Sequence, residues 1–286
     1  MKMLDLLFEI KYNIILLIKK TNPRLFIKKI LVTRDEGIGD VLMTLPLING
    51  LSKKYPWAEI FIQTNYPEIF FNNPYIKRAE KKIKEHSIDM YITPWYELLY
   101  QSTEHIADIF CKQYKIKIDS EKRLDLSITT NEEENTINKF NLNKHKYTVV
   151  QPWPGNWTRN KDWYIDRWYE VVGFILNNNY RVFQIGSSNE EMISGSYDLR
   201  GKTTIREAAV IIKHANLLIC CNSFASQLAH SFKTPTLILY GSTSPLDSCY
   251  SEQNYIYKNV GCNPCWKKET CLERKCMRAI AVEEVI

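Results

Sequence analysis

An aspartate stands where the chain passes from a predicted strand into a predicted helix. The segment "GIGDVLMTLPLINGL", from Gly37 to Leu51, follows the apolar run "ILVTR" and contains one acid, Asp40. A carboxylate at this point can take a proton from a bound hydroxyl, which is general-base chemistry. The same side chain can instead cap the helix by accepting hydrogen bonds from free backbone N–H groups. Gly37 and Gly39, which precede it, predict a tight turn of the backbone.

Three loops carry groups that suit a phosphate. The loop "NWTRNKDW" contains Arg159 and Lys161, which either face a diphosphate in a cleft or form a solvated basic loop. Asn222 and Ser223 lie between a predicted strand and helix, where they either help backbone N–H groups bind phosphate or simply cap the helix. The loop "YGSTSP" follows the last clear strand, and its candidates are Gly241, Ser242 and Thr243.

Four of the eight cysteines lie close together near the C-terminal end. The spacing Cys262-x2-Cys265-x5-Cys271-x4-Cys276 can wrap one tetrahedral ion, because thiolates are preferred ligands of zinc and iron. Four protein ligands leave no open position, so such a site would be structural, and the alternative is a set of buried thiols. The clustering fits a reducing compartment better than a disulfide framework. The other candidates lie in other segments, so we expect the cluster to affect stability rather than catalysis.

Alternating strand and helix patterns surround these candidates. The strand-like runs "KKILVTR", "AEIFIQT" and "DMYITP" alternate with helical periods over 40–54 and 95–114. A polar segment over 131–146 predicts an exposed helix and a linker, after which strands and helices alternate again. Such alternation is typical of parallel sheets covered by helices. Because 286 residues exceed the size of one ordinary core, two consecutive α/β domains are predicted, over 26–144 and 145–286.

Every candidate loop follows a predicted strand. Ligands of open α/β sheets bind beyond the carboxyl ends of the strands, so we expect these loops to converge on one cleft between the two domains. No G-x-G-x-x-G fingerprint, P-loop or G-x-S-x-G elbow occurs, which argues against a dehydrogenase, an NTPase and a hydrolase. The net charge of +6 comes from lysines interspersed with acids, so no nucleic-acid partner is predicted.

The N-terminal segment predicts an amphipathic helix over 1–25. Its most apolar part, "LDLLFEIKYNIILLIKK", is interrupted by Asp5, Glu9 and Lys11, so it does not qualify as a membrane span. It also lacks the features of a signal peptide. The helix either packs on the protein's own surface or lies on a membrane surface, with its lysines near the headgroups. We therefore expect a cytoplasmic protein, with a peripheral contact at the inner membrane as the second interpretation.

Several segments also occur in a characteristic order. They are "ILVTRDEGIGDVLMTLPLINGLSKKYPWAEI", "VVQPWPGNWTRNKDW", the run from Leu199 to Pro245, and "CNPCWKKETCLERKCM". In this order and spacing the chain resembles glycosyltransferase family 9, whose best-known members are the heptosyltransferases of the lipopolysaccharide inner core. The resemblance covers about residues 28–286. Its most specific piece is Gly-Asp-x-Leu-x-Thr-x-Pro at Gly39–Pro46, which adds Thr44 to the acceptor-side candidates.

The resemblance implies a GT-B architecture, with two doubly wound, Rossmann-like domains facing an interdomain cleft. It implies a nucleotide-diphosphate sugar donor, with ADP-heptose as one candidate, held by the C-terminal domain. A lipopolysaccharide, lipid-linked or other surface-glycan acceptor would be held by the N-terminal domain. The transfer would invert the anomeric centre without a catalytic metal, so a structural zinc or iron is the only cofactor predicted. Asp40 then matches the family's proposed general base, and Lys161 matches its phosphate-contacting lysine.

The chain departs from the family pattern at two donor-side motifs. Members commonly read Asp-Ser/Thr-Gly-x-x-His-Leu where this sequence places Asn222, Ser223, Phe224 and Gln227. The loop that commonly ends Gly-Pro-Thr-Asp-Pro reads "GSTSP" here, from Gly241 to Pro245. These positions hold the donor's sugar and phosphates in the family, so Gln227 joins the donor-site candidates. The departures favour an alternative function, a non-catalytic module that binds a sugar nucleotide or glycan. A nucleotide-sugar epimerase on the same fold is a third interpretation.

Overall fold

The computed structural model describes residues 22–23, 26–97 and 103–286, and its strands form two separate parallel sheets. Nearly all of the helix predicted over 1–25, and the middle of the helix predicted over 95–114, lie outside these ranges. Within them, no helix has the length and apolar character needed to cross a membrane. The α/β fold class predicted from the alternating pattern is confirmed.

The first sheet has the strand order β3-β2-β1-β4. Its strands are β1 (Lys29–Thr33), β2 (Glu59–Gln63), β3 (Arg78–Glu80) and β4 (Met90–Ile92). The helices of this part are α1 (Ile38–Leu42), α2 (Leu45–Lys54) and α3 (Ile106–Gln113). In the centre of the sheet Ile30 pairs with Ile60 on one side and Met90 on the other. The middle of β1 is buried, as expected for a parallel sheet covered on both faces.

The single helix predicted over 40–54 is wrong, because the structure has two helices there. The first ends at Leu42 and the second begins at Leu45, with Pro46 in its first turn. Proline lacks an N–H and clashes with the preceding turn, so it starts a helix rather than continuing one. Asp40 therefore lies on a short helix that ends before the longer one begins.

The second sheet has the strand order β10-β9-β8-β5-β6-β7. Its strands are β5 (Tyr147–Gln151), β6 (Arg181–Gln184), β7 (Tyr197–Asp198), β8 (Leu217–Cys221), β9 (Thr236–Tyr240) and β10 (Asn254–Tyr257). The helices from residue 130 onward are α4 (Thr130–Phe140), α5 (Ile165–Asn177), α6 (Ile205–Lys213), α7 (Phe224–Phe232), α8 (Pro245–Ser248) and α9 (Lys275–Arg278). The short outer strands β3, β7 and β10 escape sequence prediction, because each is partly exposed and lacks a long apolar run.

The helix in the predicted linker region, α4, packs against α6. A capping box begins each of them, formed by Thr129 with Glu132 and by Thr204 with Glu207. The guanidinium of Arg206 pairs with Glu132 at 2.6 Å and donates a hydrogen bond to the Glu68 carbonyl at 3.0 Å. This arginine therefore connects both halves of the chain. The domain limits at 144 and 145 stay a prediction.

Two helical glycines allow a matched test of packing. A Cβ at Gly50 would overlap the Ile116 side chain, whereas a Cβ at Gly173 would meet no atom within 4 Å. Gly50→Ala should lower the free energy of unfolding by about 1–3 kcal/mol, because overpacking outweighs helix propensity. Gly173→Ala should raise it by up to about 1 kcal/mol, because alanine favours a helix. Urea unfolding of both variants checks the pair. A Gly50→Ala variant as stable as Gly173→Ala would contradict the close packing.

Candidate active site

A cavity of about 560 Å³ lies where the carboxyl ends of the two sheets meet. Its walls come from α1, from the loop after β4, and from the loops after β5, β6, β8 and β9. The loops that the sequence predicted to converge therefore do converge. The sequence-predicted candidates that line the cavity are Gly37, Gly39, Asp40, Lys161, Asn222, Ser223, Gln227 and Thr243.

Asp40 faces the cavity and does not cap its helix. The cap position of α1 is Gly37, and no side chain makes a capping hydrogen bond there. The Tyr96 hydroxyl instead donates a hydrogen bond to Asp40 Oδ1 at 2.8 Å. The capping interpretation of Asp40 is therefore wrong, and its carboxyl group is available to a ligand in the cavity.

The electrostatics around Asp40 suit a base. Desolvation by the surrounding protein raises the pKa of Asp40, while Arg34, the Tyr96 hydroxyl and Lys161 oppose this rise. The Arg34 side chain is 4% exposed, pairs with Glu97 and donates to the Pro94 carbonyl at 2.9 Å. A carboxylate whose pKa is raised binds a proton more strongly than an ordinary one, and this is the property that general-base chemistry needs.

The two glycines do not form the tight turn that the sequence predicted. Gly37 has φ −58° and ψ 153°, which any residue can adopt, and Gly39 lies within the helix. Limited space accounts for Gly37 only. A Cβ at Gly37 would lie 3.2 Å from Asp40 Oδ2, which is tight, whereas one at Gly39 would lie 3.7 Å from the Phe224 backbone, an ordinary contact distance. The acceptor-side candidate Thr44 does not line the cavity. Its hydroxyl is buried and donates a hydrogen bond to the Val41 carbonyl.

Lys161 lines the same cavity, in the loop that follows β5 of the second sheet. Its Nζ donates to the Asn222 carbonyl at 3.1 Å and lies 5.5 Å from the centre of the Trp157 ring. Burial lowers the pKa of the Lys161 ammonium, and the nearby Asp40 raises it. A buried ammonium group whose positive charge is only partly balanced by a nearby carboxylate attracts an anion such as a phosphate. The other tryptophan of this loop, Trp163, belongs to the core, with 1% exposure.

The polar residues of the second sheet are largely bonded to one another. Asn222 Nδ2 donates to Thr243 Oγ1 at 2.8 Å, and Ser223 caps α7 and donates to Gln151 Oε1. Gln227 donates to the Ser248 carbonyl at 3.1 Å and accepts from the Tyr250 hydroxyl at 2.6 Å. Both ends of the Gln227 amide are thus engaged in hydrogen bonds within the protein. The side chain therefore forms part of the cavity wall rather than a hydrogen-bonding group open to a ligand.

Other sequence candidates do not reach the cavity. The Arg159 side chain is 67% exposed and pairs with Asp162, so it points away. Gly241 packs against Met277, where a Cβ would collide with the sulfur, and Ser242 accepts hydrogen bonds from two backbone N–H groups of the cysteine segment. In the described ranges no three of the residue types His, Cys, Asp and Glu are arranged to hold a metal ion. The predicted cysteine site is therefore not assembled, although the four thiols are free.

Tyr96, Trp266 and Glu190 are among the residues of the cavity that sequence reasoning missed. Tyr96, which bonds to Asp40, and Trp266, which follows Cys265, both line it. Glu190 lines the side formed by the loop after β6, and its Oε2 is buried with no hydrogen-bond partner in the described part of the chain. Burial raises the pKa of Glu190 to about 7. The available sequence signal was position, because Tyr96 lies in the loop that follows β4 and Glu190 in the loop that follows β6.

The comparisons agree with this architecture. The family model for glycosyltransferase family 9 (heptosyltransferase) matches residues 78–276. The autotransporter heptosyltransferase TibC of Escherichia coli O78:H11 (strain H10407 / ETEC) is 26% identical over 107 residues, which are 35% of this chain and 26% of that protein. The alignment therefore spans about a quarter of the length of this relative.

Solved structures resemble nearly the whole chain. A glycosyl transferase family 9 protein from Veillonella parvula DSM 2008 matches with a TM-score of 0.69 at 17% identity, covering 90% of this chain and 94% of that one. Iron-containing dodecameric TibC from E. coli matches with a TM-score of 0.71 at 16% identity, covering 91% and 75%. The E. coli ADP-heptose lipopolysaccharide heptosyltransferase II matches with a TM-score of 0.62 at 16% identity, covering 90% and 96%.

Two parallel sheets that meet at a cleft, in the arrangement shared with these structures, define a GT-B fold. The family model covers well over half of the chain. The protein therefore belongs to glycosyltransferase family 9, as the resemblance of its sequence implied.

The Tyr96 hydroxyl offers a test of the charge around Asp40. Its hydrogen bond stabilises the ionised carboxylate and so opposes the rise in the pKa of Asp40. Tyr96→Phe should therefore raise this pKa further, which ¹³C NMR titration of the Asp40 carboxyl carbon would measure. Tyr114→Phe is the matched control, because the Tyr114 hydroxyl accepts from Thr93 N–H nearby and not from Asp40. A pKa that falls, or that responds equally to both substitutions, would contradict the assigned hydrogen bond.

Proposed function

We propose that the protein is an inverting glycosyltransferase, which moves a sugar from a nucleotide-diphosphate donor to a hydroxyl of a lipopolysaccharide or other surface glycan. The observation that carries the proposal is the pairing of Asp40 and Lys161 in one cavity. Each comes from a different sheet, and each carries a charge that the other modulates. A base and a phosphate-binding cation on opposite sides of a cleft are the two groups that such a transfer requires.

In the proposed reaction Asp40 removes the proton of the acceptor hydroxyl. The acceptor oxygen attacks the anomeric carbon from the face opposite the diphosphate and forms the new C–O bond. The bond between the anomeric carbon and the diphosphate oxygen breaks, and its electron pair leaves with the diphosphate. Lys161 and the backbone N–H groups at the start of α7 would stabilise the charge that develops there. The reaction inverts the anomeric centre because attack and departure occur on opposite faces.

The donor is proposed to be ADP-heptose or a related nucleotide sugar. Support comes from the E. coli heptosyltransferase II, which is described as acting with ADP-heptose. The diphosphate would contact Lys161, and the nucleoside would extend toward the loop that carries Glu190. A lipid-linked acceptor, a cytoplasmic site of action and a contact with the inner membrane stay predictions, since the segment that would make this contact lies outside the described residues.

One observation favours the alternative function, a module that binds without catalysis. Gln227 stands where the family commonly has histidine, and both polar groups of its side chain are bonded to Ser248 and Tyr250. A donor would lose that histidine contact. Donor binding without transfer or hydrolysis, tested over several nucleotide sugars and acceptor glycans, would support the binding module. Isomerisation of the donor without an acceptor would support an epimerase.

Two substitutions test the transfer mechanism together. Asp40→Asn should lower turnover by about 10²-fold or more while ADP binding persists, because only the base is lost. Lys161→Ala should weaken ADP binding by about 1.5–3 kcal/mol, the range for hydrogen bonds to charged groups. Arg159→Ala is the matched control, since Arg159 belongs to the same short 3-10 helix and points away from the cavity. Calorimetry and a donor-turnover assay measure both effects. Near-normal turnover of Asp40→Asn would remove Asp40 from the mechanism.

The cysteine cluster is proposed to hold a structural zinc or iron ion. The donor set fits, because four thiolates satisfy a tetrahedral ion. Burial raises the pKa of the Cys276 thiol, and the nearby Cys265 and Cys262 raise it further, so these thiols share one neighbourhood. The related TibC structure is described as iron-containing, which supports iron as one of the two ions. The proposed ion would draw the four side chains together.

Metal analysis tests this site. Protein purified without added metal should contain about one zinc or iron per chain. Cys265→Ser or Cys276→Ser should release the ion and lower the melting temperature, because binding energy at such a site is folding energy. Cys249→Ser is the matched control, since Cys249 is partly buried and lies outside the cluster. A metal-free preparation that is as stable as the metal-treated protein would leave the cysteines as ordinary thiols.

A further inference from the structure

Trp266 forms part of an aromatic wall that crosses the cavity between the two sheets. Its ring makes T-shaped contacts with the ring of Tyr96, at a centroid distance of 6.4 Å, and with the ring of Trp157, at 6.0 Å. All three residues line the cavity, and Trp266 belongs to the cysteine segment. The chain therefore folds back so that this segment reaches the cavity through Trp266, while none of its four clustered cysteines lines the cavity. The expectation that the cluster affects stability rather than catalysis stays a prediction.

The two aromatic neighbours of Trp266, Tyr96 and Trp157, contact Asp40 and Lys161 respectively. The Tyr96 hydroxyl bonds to Asp40, and the Trp157 ring lies beneath the Lys161 ammonium. Trp266 therefore lies between the two rings that contact Asp40 and Lys161. In the proposed transfer, the group between the activated hydroxyl and the diphosphate is the sugar that is being moved. A nucleobase would lie beyond the diphosphate, on the side of Glu190.

The backbone of Trp266 is held in place by the loop after β9. Its φ of +50° lies in the left-handed region, which a bulky side chain rarely adopts. The N–H groups of Cys265 and Trp266 both donate to the Ser242 carbonyl at 3.0 Å, and Asn263 Nδ2 donates to the Gly241 carbonyl at 3.1 Å. Unusual backbone conformations persist where surrounding contacts enforce them, and such sites are often functional. Gly241 and Ser242, predicted to bind the donor, thus anchor Trp266 instead.

We propose that Trp266 is the platform on which the sugar ring of the nucleotide-diphosphate donor lies. This inference rests on the proposed function and adds the residue that recognises the transferred sugar. The face of an aromatic ring carries negative potential and attracts the C–H groups on the apolar face of a pyranose. The indole offers the largest such face of any side chain, so loss of the ring weakens binding of the sugar but not of the nucleotide.

The test compares ADP with ADP-heptose by calorimetry. For Trp266→Ala the dissociation constant of ADP stays within about twofold of that of the unsubstituted protein. That of ADP-heptose rises about three- to tenfold, the range expected for one aromatic contact. Trp266→Phe keeps an aromatic ring and should lose less affinity for ADP-heptose. Trp266→Leu keeps apolar volume without a ring and should lose as much affinity as Trp266→Ala. Trp57→Ala is the matched control, because Trp57 is also partly buried and edge-on to a tyrosine, and lies outside the cavity.

The outcomes separate this inference from the proposed function. An equal loss of ADP and ADP-heptose affinity places Trp266 against the nucleotide and overturns the inference, as does unchanged ADP-heptose binding by Trp266→Leu. Preserved ADP binding also shows that a variant is folded. If the unsubstituted protein binds neither ADP nor ADP-heptose, nor the UDP-, GDP- and CMP-sugars, the proposed function fails and the inference fails with it.

Discussion

The electrostatic coupling of Asp40 and Lys161 across one partly dehydrated cavity is the constraint on which the site depends. Water would weaken the interaction of the two charges, and removal of water makes each charge costly unless the other is near. Burial shifts the pKa of each group toward its neutral form, and the partner shifts it back. Both groups therefore need a rigid environment that keeps them close without allowing them to neutralise each other through a direct contact.

The surrounding residues supply that rigidity. On the first sheet, Arg34 is enclosed by Glu97, the Pro94 carbonyl and the rings of Tyr96 and Phe110, and Tyr96 in turn holds Asp40. On the second sheet, hydrogen bonds among the polar wall residues leave few groups free to rearrange. The bonded pairs are Ser223 with Gln151, Asn222 with Thr243, and Gln227 with both Ser248 and Tyr250. Networks satisfied in this way fix one geometry.

Contacts between the two halves set the width of the cavity. Gly39 brings α1 close to the start of α7, Arg206 joins α6 to the Glu68 carbonyl, and His105 packs against Tyr250 with ring centroids 4.7 Å apart. The cysteine segment adds a third connection, since Trp266 touches rings from both sides. The site is therefore formed at the interface between the two halves, where these contacts bring Asp40 and Lys161 into one cavity.

The sequence alone determined the elements whose signals are local. Apolar runs predicted β1, β2 and β4, because the apolar residues that bury a strand are neighbours in the sequence. The order of motifs identified the family, and it singled out Asp40 and Lys161. Pro46 was a sequence signal for the break between α1 and α2. It was overlooked because apolar residues continue at helical spacing on both sides of it.

Tertiary structure alone decided which candidates meet. Tyr96 bonds to Asp40 across 56 positions of sequence, and Trp266 reaches the same wall from the far end of the chain. Arg159 and Lys161 are equivalent in a sequence motif, yet the short helix that contains them sends one into solvent and the other into the cavity. Side-chain direction and long-range packing depend on how the two sheets face each other. No local pattern of residues encodes that arrangement.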